Sequence, residues 1–161
     1  MHAGRKHLIH LPPALLKEVS ACLAGPLIGA SGLDEVPRTK GAYALLIRLG
    51  KAVRLERPRH AKGTIAPGWY VYAGSAHGPG GIHARVARHF RADKRVHWHV
   101  DRLTAHKAAT IWASPAPGGH ECDLVARFSA SGAFVPACTG FGSSDCRRCE
   151  THLLGWKGNK P

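Results

Sequence analysis

The sequence predicts a single α/β domain of the α+β type, in which a small sheet is flanked by helices. Three observations support this fold class. The length of 161 residues fits one domain of ordinary size. Residues 42–49 and 69–73 are apolar or aromatic runs beside turns that contain glycine, which is typical of strands. Residues 82–91 instead repeat apolar side chains four positions apart, which predicts an amphipathic helix.

Residues 1–38 are predicted to form a helical extension followed by a linker. The proline pair at positions 12–13 favours a helix start, apolar residues follow at helical spacing, and a Gly-Pro pair ends the helix. No candidate catalytic group lies in this part of the chain. The main domain is predicted over residues 39–157, and residues 158–161 form a short tail.

The main domain alternates strand and helix signals. In chain order the predicted elements are strands at 42–49, 52–56 and 69–73, a helix at 82–91, a strand at 110–114 and a helix at 121–129. Residues 97–105 fit either a strand or a helix. Residues 132–156 are rich in loop-forming residues and hold three of the five cysteines.

The charge distribution favours a polyanionic partner, of which nucleic acid is the commonest. Lys and Arg number 23 against 10 Asp and Glu, which gives a formal net charge of +13. Residues 41–161 hold eighteen of the basic and seven of the acidic residues, so the excess belongs to the folded domain and not to a terminal tail. A field of this size argues against a small acidic metabolite as the only substrate.

Neither a membrane span nor a signal peptide is predicted. The apolar stretch at residues 21–33 is interrupted by glycine and proline, and it is shorter than the roughly 20 residues that a bilayer requires. Lys17 and Glu18 interrupt the apolar segment that a signal peptide needs. We therefore expect a cytoplasmic protein without a membrane partner, whose cysteines are thiols or metal ligands.

An ordered series of motifs carries a family resemblance. Residues 41–43 read Gly-Ala-Tyr, and residues 72–74 read Tyr-Ala-Gly. Arg85 and His89 follow one turn apart on the next predicted helix. The series resembles the paired motifs and catalytic helix of the GIY-YIG nuclease superfamily, and in particular its Uri-type endonuclease branch. The resemblance covers residues 40–156, although the middle residue of each triplet differs from the one in the superfamily's name.

The resemblance implies a small, mainly antiparallel, three-stranded sheet flanked by helices, with a loop-rich C-terminal extension. It implies a metal-dependent endonuclease that hydrolyses phosphodiester bonds in DNA, with structure-specific substrates in repair or recombination. Tyr43 or Tyr72 would orient or deprotonate the attacking water. A nearby cation would have to lower the phenol pKa from its usual value of about 10. Arg85 would clamp the scissile phosphate, and His89 would contact phosphate or relay a proton.

Glu121 is the expected ligand of the divalent cation, Mg²⁺ or Mn²⁺. The resemblance places one Glu on the helix after the third strand, and residue 121 occupies that place. Hard cations of this kind prefer carboxylate oxygen. The alternative is an acidic side chain that stabilises the helix N-terminus. Many relatives also carry an Asn after this Glu, but the only Asn here is Asn159, so that role is missing or filled by another residue.

A basic segment at residues 83–107 predicts a surface for nucleic acid. It holds seven Lys and Arg, five His and only two Asp, and backbone phosphates are its natural target. The expected contacts are Arg88, Arg91, Lys94, Arg95, His97 and His99. No sequence-reading motif is evident, so we do not expect sequence-specific recognition.

The C-terminal cysteines suggest a structural zinc site. Cys138, Cys146, Cys149 and His152 offer four zinc-type ligands in a segment that has few other stabilising features. The alternative is free thiols with a His that pairs with the backbone.

Two other functions remain open from the sequence. One is a catalytically silent module that binds nucleic acid. The other is a metal hydrolase, since residues 97–101 read His-Trp-His-Val-Asp and would place three ligands on one face of an extended strand.

Overall fold

The computed structural model describes residues 11–57, 61–143 and 146–159. Its helices are α1 (Pro13–Cys22), α2 (Gly81–Phe90), α3 (Asp101–Thr104) and α4 (Glu121–Ala130), with a 3-10 helix at Ala30–Glu35. Its strands are β1 (Gly41–Leu49), β2 (Val53–Arg57), β3 (Ala61–Ile65), β4 (Gly68–Ala76), β5 (Ala109–Pro117), β6 (Phe134–Pro136) and β7 (Leu153–Trp156). Residues 1–10 of the predicted extension and 160–161 of the predicted tail lie outside the described residues. Within the described ranges, no helix has the length and apolar character to cross a membrane.

Five strands form one antiparallel sheet in the order β5-β1-β4-β7-β6, and β2 pairs with β3 in a separate hairpin. The mixed α/β class and the antiparallel pairing agree with the prediction. The expectation of three strands is wrong, because β7 pairs with the outer edge of β4 and β6 pairs with β7. These two strands are only four and three residues long, and they lie in a stretch that composition assigns to loops.

Strand β1 is buried on both faces, which explains its continuous apolar run. Its side chains alternate between two cores. One core takes Tyr43, Leu45, Ile47 and Leu49 together with apolar residues of α2 and α3. The other takes Ala42, Ala44 and Leu46 together with apolar residues of α1 and α4. The sheet is therefore the middle of three layers.

Helix α1 completes the second core, so residues that precede the main strands pack as part of the same body. Leu15 and Val19 are buried in one cluster with Phe128 of α4. The indole nitrogen of Trp156 donates a hydrogen bond to the Glu18 carboxylate at 2.6 Å. The helix begins at the position that the proline pair predicts, and the predicted linker contains the 3-10 helix.

The strand pairing places the predicted tyrosines at one edge of the sheet. Tyr43 lies opposite Gly74, and Tyr72 lies two residues along β4 on the same face. At this edge β1 begins while β4 and β5 end, because the first residue of β1 pairs with the last residues of the other two. Helices α2 and α4 follow β4 and β5 in the chain, so both begin near this edge.

Candidate functional site

One cleft collects the four residues on which the predicted chemistry depends. Tyr43 of β1, Tyr72 of β4, Arg85 of α2 and Glu121 of α4 all line a cavity of about 330 Å³. Its remaining lining is Gly74, Ser75, His77, Gly78, Trp98, Gly142 and His152. Side chains from four separate elements therefore meet at the edge where β1 begins and β4 ends.

The ring of Tyr43 occupies the space that a side chain at position 74 would fill. Gly74 is its cross-strand partner, and a Cβ there would overlap atoms of the phenol. The glycine of the Tyr-Ala-Gly motif is thus required by packing. Only 3% of Tyr43 is exposed, and its Oη lies 2.7 Å from Nε2 of His89. The strand pair and α2 together fix this hydroxyl at the cleft.

His89 is buried on the inner face of α2 and is neutral near pH 7. Burial lowers its pKa to about 3, and the nearby Lys94 adds to this effect. Its Nδ1 has no hydrogen-bond partner within the described part of the chain. A neutral imidazole at hydrogen-bond distance from a phenol is placed to accept a proton from it.

Burial is also the largest influence on the pKa of the two phenols. It raises the pKa of Tyr43 and of Tyr72, whereas the Arg85 guanidinium acts in the opposite direction and is the smaller effect. We expected the basic surroundings to lower these pKa values, and the structure corrects that expectation. The loss of hydration outweighs the attraction of one guanidinium.

Arg85 is held against an aromatic face. Its guanidinium carbon lies 4.4 Å from the centre of the Trp98 ring, and that of Arg88 lies 4.8 Å from the same ring. Such cation–π contacts orient the planar group. Trp98 therefore positions the cation of the cleft. The local sequence does not indicate this role, because the contact joins two separate segments.

Glu121 is the first residue of α4 and presents a carboxylate to the cleft. Its side chain is 17% exposed, and Oε2 is buried without a hydrogen-bond partner among the residues described. Nδ1 of His120 lies 3.6 Å away and accepts the backbone N–H of Cys122. A buried carboxylate oxygen without a partner is costly in isolation and is a suitable donor to a hard cation.

The His-Trp-His-Val-Asp segment forms a turn that leads into α3. Asp101 Oδ2 accepts the backbone N–H groups of His97 and Trp98 at 2.8 and 2.9 Å and the Arg88 guanidinium at 2.8 Å. Burial opposes ionisation of Asp101, but these hydrogen bonds lower its pKa. His99 Nδ1 accepts the backbone N–H of Gly142 at 2.9 Å. In the described ranges the three side chains form no metal-ligand group, so the metal-hydrolase interpretation is not supported.

The six expected phosphate contacts are not equally available. Three of them are exposed, namely Arg91, Arg95 and His97. Lys94 is buried, and its Nζ donates to two backbone carbonyls of the last turn of α2 at 3.1 and 2.8 Å. Burial lowers the Lys94 pKa to about 8. Lys94 thus stabilises the end of α2, while Arg88 and His99 make the contacts described above.

A second group of ligand-type side chains adjoins the cleft. Cys122, Cys146, Cys149 and His152 place their ligand atoms within 4.8 Å of one another, and such a group is able to bind a metal such as zinc. The prediction that Cys138 belongs to the group is wrong, because Cys122 of α4 takes that place. Spacing could not reveal this, since Cys122 is 24 positions from Cys146 and lies in a helix.

A protein-family model matches most of the chain. It is the Domain of unknown function DUF123, and the match covers residues 42–161. The chain belongs to the DUF123 family. The DUF123 region contains the complete lining of the cleft and all four members of the Cys/His group, and it excludes α1. No curated protein and no solved structure matches the chain. DUF123 membership names no chemistry, so the GIY-YIG resemblance and the nuclease activity that it implies stay predictions.

The substitution Gly74→Ala is expected to displace the Tyr43 ring from the cleft. The added Cβ overlaps the phenol, so the ring or β4 must move, at a cost of about 1–3 kcal/mol in the free energy of unfolding. Urea denaturation measures this loss. The NMR signals of the His89 ring report whether the hydrogen bond to Tyr43 survives.

Gly29→Ala is the matched control, because a Cβ at position 29 meets only Trp112, at 3.8 Å. We expect a change in stability below about 0.5 kcal/mol for this variant. Unchanged His89 signals in Gly74→Ala, or equal losses in the two variants, contradict the packing described here.

His89 is expected to make stability depend on pH between about 6.5 and 3. In this window the unfolded chain binds a proton at His89 and the folded chain does not, so the free energy of unfolding falls as the pH is lowered. This residue contributes at most about 1.4 kcal/mol per pH unit. Urea denaturation across the window should give a shallower pH dependence for His89→Gln than for the unaltered protein. Parallel curves contradict the neutral, buried state of His89.

Proposed function

We propose that this DUF123 domain is a divalent-metal-dependent endonuclease that hydrolyses phosphodiester bonds in DNA. The observation that carries the proposal is the convergence of Tyr43, Tyr72, Arg85 and Glu121 on one cleft. Phosphodiester hydrolysis needs a positioned water, a cation on the phosphate and stabilisation of the added negative charge. Two phenols, a guanidinium and an unpartnered carboxylate oxygen provide groups for each of these tasks.

Charge supports a nucleic acid in preference to a small phosphate ester. The chain carries a formal net charge of +13. A second depression, lined by Arg88, Arg95 and His97, shares Trp98 with the cleft. A strand whose scissile phosphate lies in the cleft could therefore continue along this basic surface, which attracts backbone phosphates. The choice of DNA, and a role in repair or recombination, follow from the GIY-YIG resemblance alone.

Arg85 is assigned to the scissile phosphate. The Trp98 ring supports one face of its guanidinium and leaves the N–H edge able to donate. Two parallel N–H groups match two non-bridging phosphate oxygens, which a lysine ammonium cannot reproduce. The fixed positive charge stabilises the extra negative charge of the transition state without reorganisation.

Glu121 is assigned to the divalent cation, Mg²⁺ or Mn²⁺. The buried Oε2 without a partner fits this role, and a single carboxylate suits a cation that keeps most of its water ligands. When bound, such a cation supplies Lewis-acid stabilisation at the phosphate. Glu121 would hold it at the start of α4, where this residue lines the cleft.

Tyr43 and His89 are assigned to the attacking water. A water that attacks phosphorus must lose a proton, and Tyr43 Oη can accept it while the phenol proton passes to His89 Nε2, 2.7 Å away. The raised pKa of Tyr43 and the lowered pKa of His89 keep both groups neutral before the transfer, and the same shifts make His89 a weak base. The Tyr72 hydroxyl makes no such hydrogen bond with an imidazole among the described residues, so we assign it to orienting the water.

Conservative variants at two positions test the proposal. Arg85→Lys keeps the charge and removes the two-pronged contact, and Glu121→Gln keeps the shape and removes the cation ligand. Each is expected to lower the single-turnover rate of Mg²⁺-dependent or Mn²⁺-dependent cleavage of plasmid or branched DNA by about 100-fold or more. Circular dichroism and denaturation establish that the variants are folded.

Arg54→Lys is the matched control, because Arg54 is an exposed arginine on the β2–β3 hairpin. It should cleave at the unaltered rate. Cleavage that persists in both Arg85→Lys and Glu121→Gln rejects the assignment. Salt-sensitive and metal-independent DNA binding, with no cleavage of any substrate, would instead favour the non-catalytic binding module.

A further inference from the structure

Three thiols and one imidazole lie close together beside the cleft. The ligand atoms of Cys122, Cys146, Cys149 and His152 lie within 4.8 Å of one another, and the Sγ atoms of Cys122 and Cys146 are 3.5 Å apart. We propose that these four side chains bind a structural Zn²⁺ ion that fastens the loop before β7 to the first turn of α4. This inference does not depend on the nuclease proposal.

The donor set and its dimensions fit zinc. Zinc–sulfur bonds of about 2.3 Å in a tetrahedral site place neighbouring sulfur atoms about 3.8 Å apart. The observed 3.5 Å separation is close to that value. All three cysteines are free thiols, and three soft thiolates with one imidazole select zinc over Mg²⁺ or Mn²⁺.

The state of His152 is a second observation that points to a ligand. The residue is only 5% exposed, and its Nε2 is buried with no hydrogen-bond partner in the ranges described. A buried ring nitrogen without a partner costs free energy, because it has lost its hydration and gained nothing. A metal ion bonded to the ring would remove this cost.

Backbone hydrogen bonds such as Gly140 N–H to the Glu150 carbonyl at 2.8 Å, and the fully buried Phe141, hold the loop on the rest of the domain, and the proposed ion would add a direct link to α4. Residues 137–152 contain no helix or strand among the positions described. Two polar contacts, Arg148 to Asp123 at 3.4 Å and Thr139 to Glu150 at 2.9 Å, are both exposed, and exposed pairs of this kind contribute little stability. Coordination of one zinc ion by Cys146, Cys149 and Cys122 would anchor the loop directly on α4.

The proposed ion also has a structural effect on the cleft. Cys122 is the next residue after Glu121, and His152 both lines the cleft and belongs to the group with the three thiols. Gly142, in the same loop, forms another part of the cleft wall and donates to His99. Zinc binding would therefore fix the position of this part of the cleft wall relative to the start of α4.

Metal content is the first test. Protein purified under reducing conditions with Zn²⁺ and then dialysed should contain one zinc per chain by mass spectrometry. Cys122→Ser should weaken zinc binding by at least about 100-fold in competition with a chromogenic chelator. Cys138→Ser is the matched control and should bind as the unaltered protein does.

Two further measurements use the unaltered chain, so they hold even where Cys122→Ser does not fold. Co²⁺ in place of Zn²⁺ should give the intense visible bands of a tetrahedral site and a thiolate-to-cobalt charge-transfer band. Alkylation mapped by mass spectrometry should label Cys122, Cys146 and Cys149 only after treatment with a chelator that prefers Zn²⁺ to Mg²⁺. Labelling of Cys138 should not respond to the chelator.

Absence of a stoichiometric metal from the reduced protein overturns the proposal. So does equal loss of zinc from Cys122→Ser and Cys138→Ser, or alkylation of the three thiols that ignores the chelator. Because none of these measurements involves DNA, the zinc site can fail while the nuclease proposal survives, and the reverse is equally possible.

Discussion

The close approach of Tyr43 to Gly74 is the contact on which the rest of the site depends. Antiparallel pairing sets the two motifs opposite each other, and the absence of a side chain at position 74 leaves room for the phenol ring. The hydroxyl then reaches His89 on α2, so the strand pair also fixes the position of the helix that carries Arg85. Burial keeps both members of the hydrogen-bonded Tyr43–His89 pair uncharged, and Arg85 lines the same cleft.

Much of the fold and of the cleft could be predicted, because the relevant signals are local. The apolar run of β1 and the periodicity of α2 each identify an element from its own residues. The GIY-YIG resemblance assigns Tyr43, Tyr72, Arg85 and Glu121 to places in such elements. The sequence pattern does not show where these side chains come together. They do so because the start of β1 lies beside the ends of β4 and β5, and helices α2 and α4 follow those two strands.

The errors have a common physical origin in contacts between distant segments. Strands β6 and β7 are short, and they exist only because β4 offers an edge with which β7 can pair. Asp101 is a potential metal ligand by type, but two backbone N–H groups and one guanidinium already occupy its Oδ2. Cys122 belongs to the Cys/His group although it lies in a helix far from the other cysteines in the sequence. Lys94 is buried because its Nζ donates to carbonyls at the end of α2. In each case the residue types alone are compatible with the predicted and with the observed structure, and contacts between distant segments determine which one forms.

Glu121 carries a hard carboxylate donor, and the next residue, Cys122, belongs to a soft Cys/His group that is able to bind a metal such as zinc. The central claim is that a divalent cation and a phosphodiester meet in the cleft. Paramagnetic broadening by Mn²⁺ of the NMR signals of the ¹⁵N-labelled protein, with a short DNA strand present, tests it most directly. Substoichiometric Mn²⁺ should broaden the amides of Gly74, Gly78 and Gly142 together with the ³¹P signals of the strand, and Glu121→Gln should abolish both effects. Broadening centred elsewhere, or unaltered by Glu121→Gln, would contradict the account.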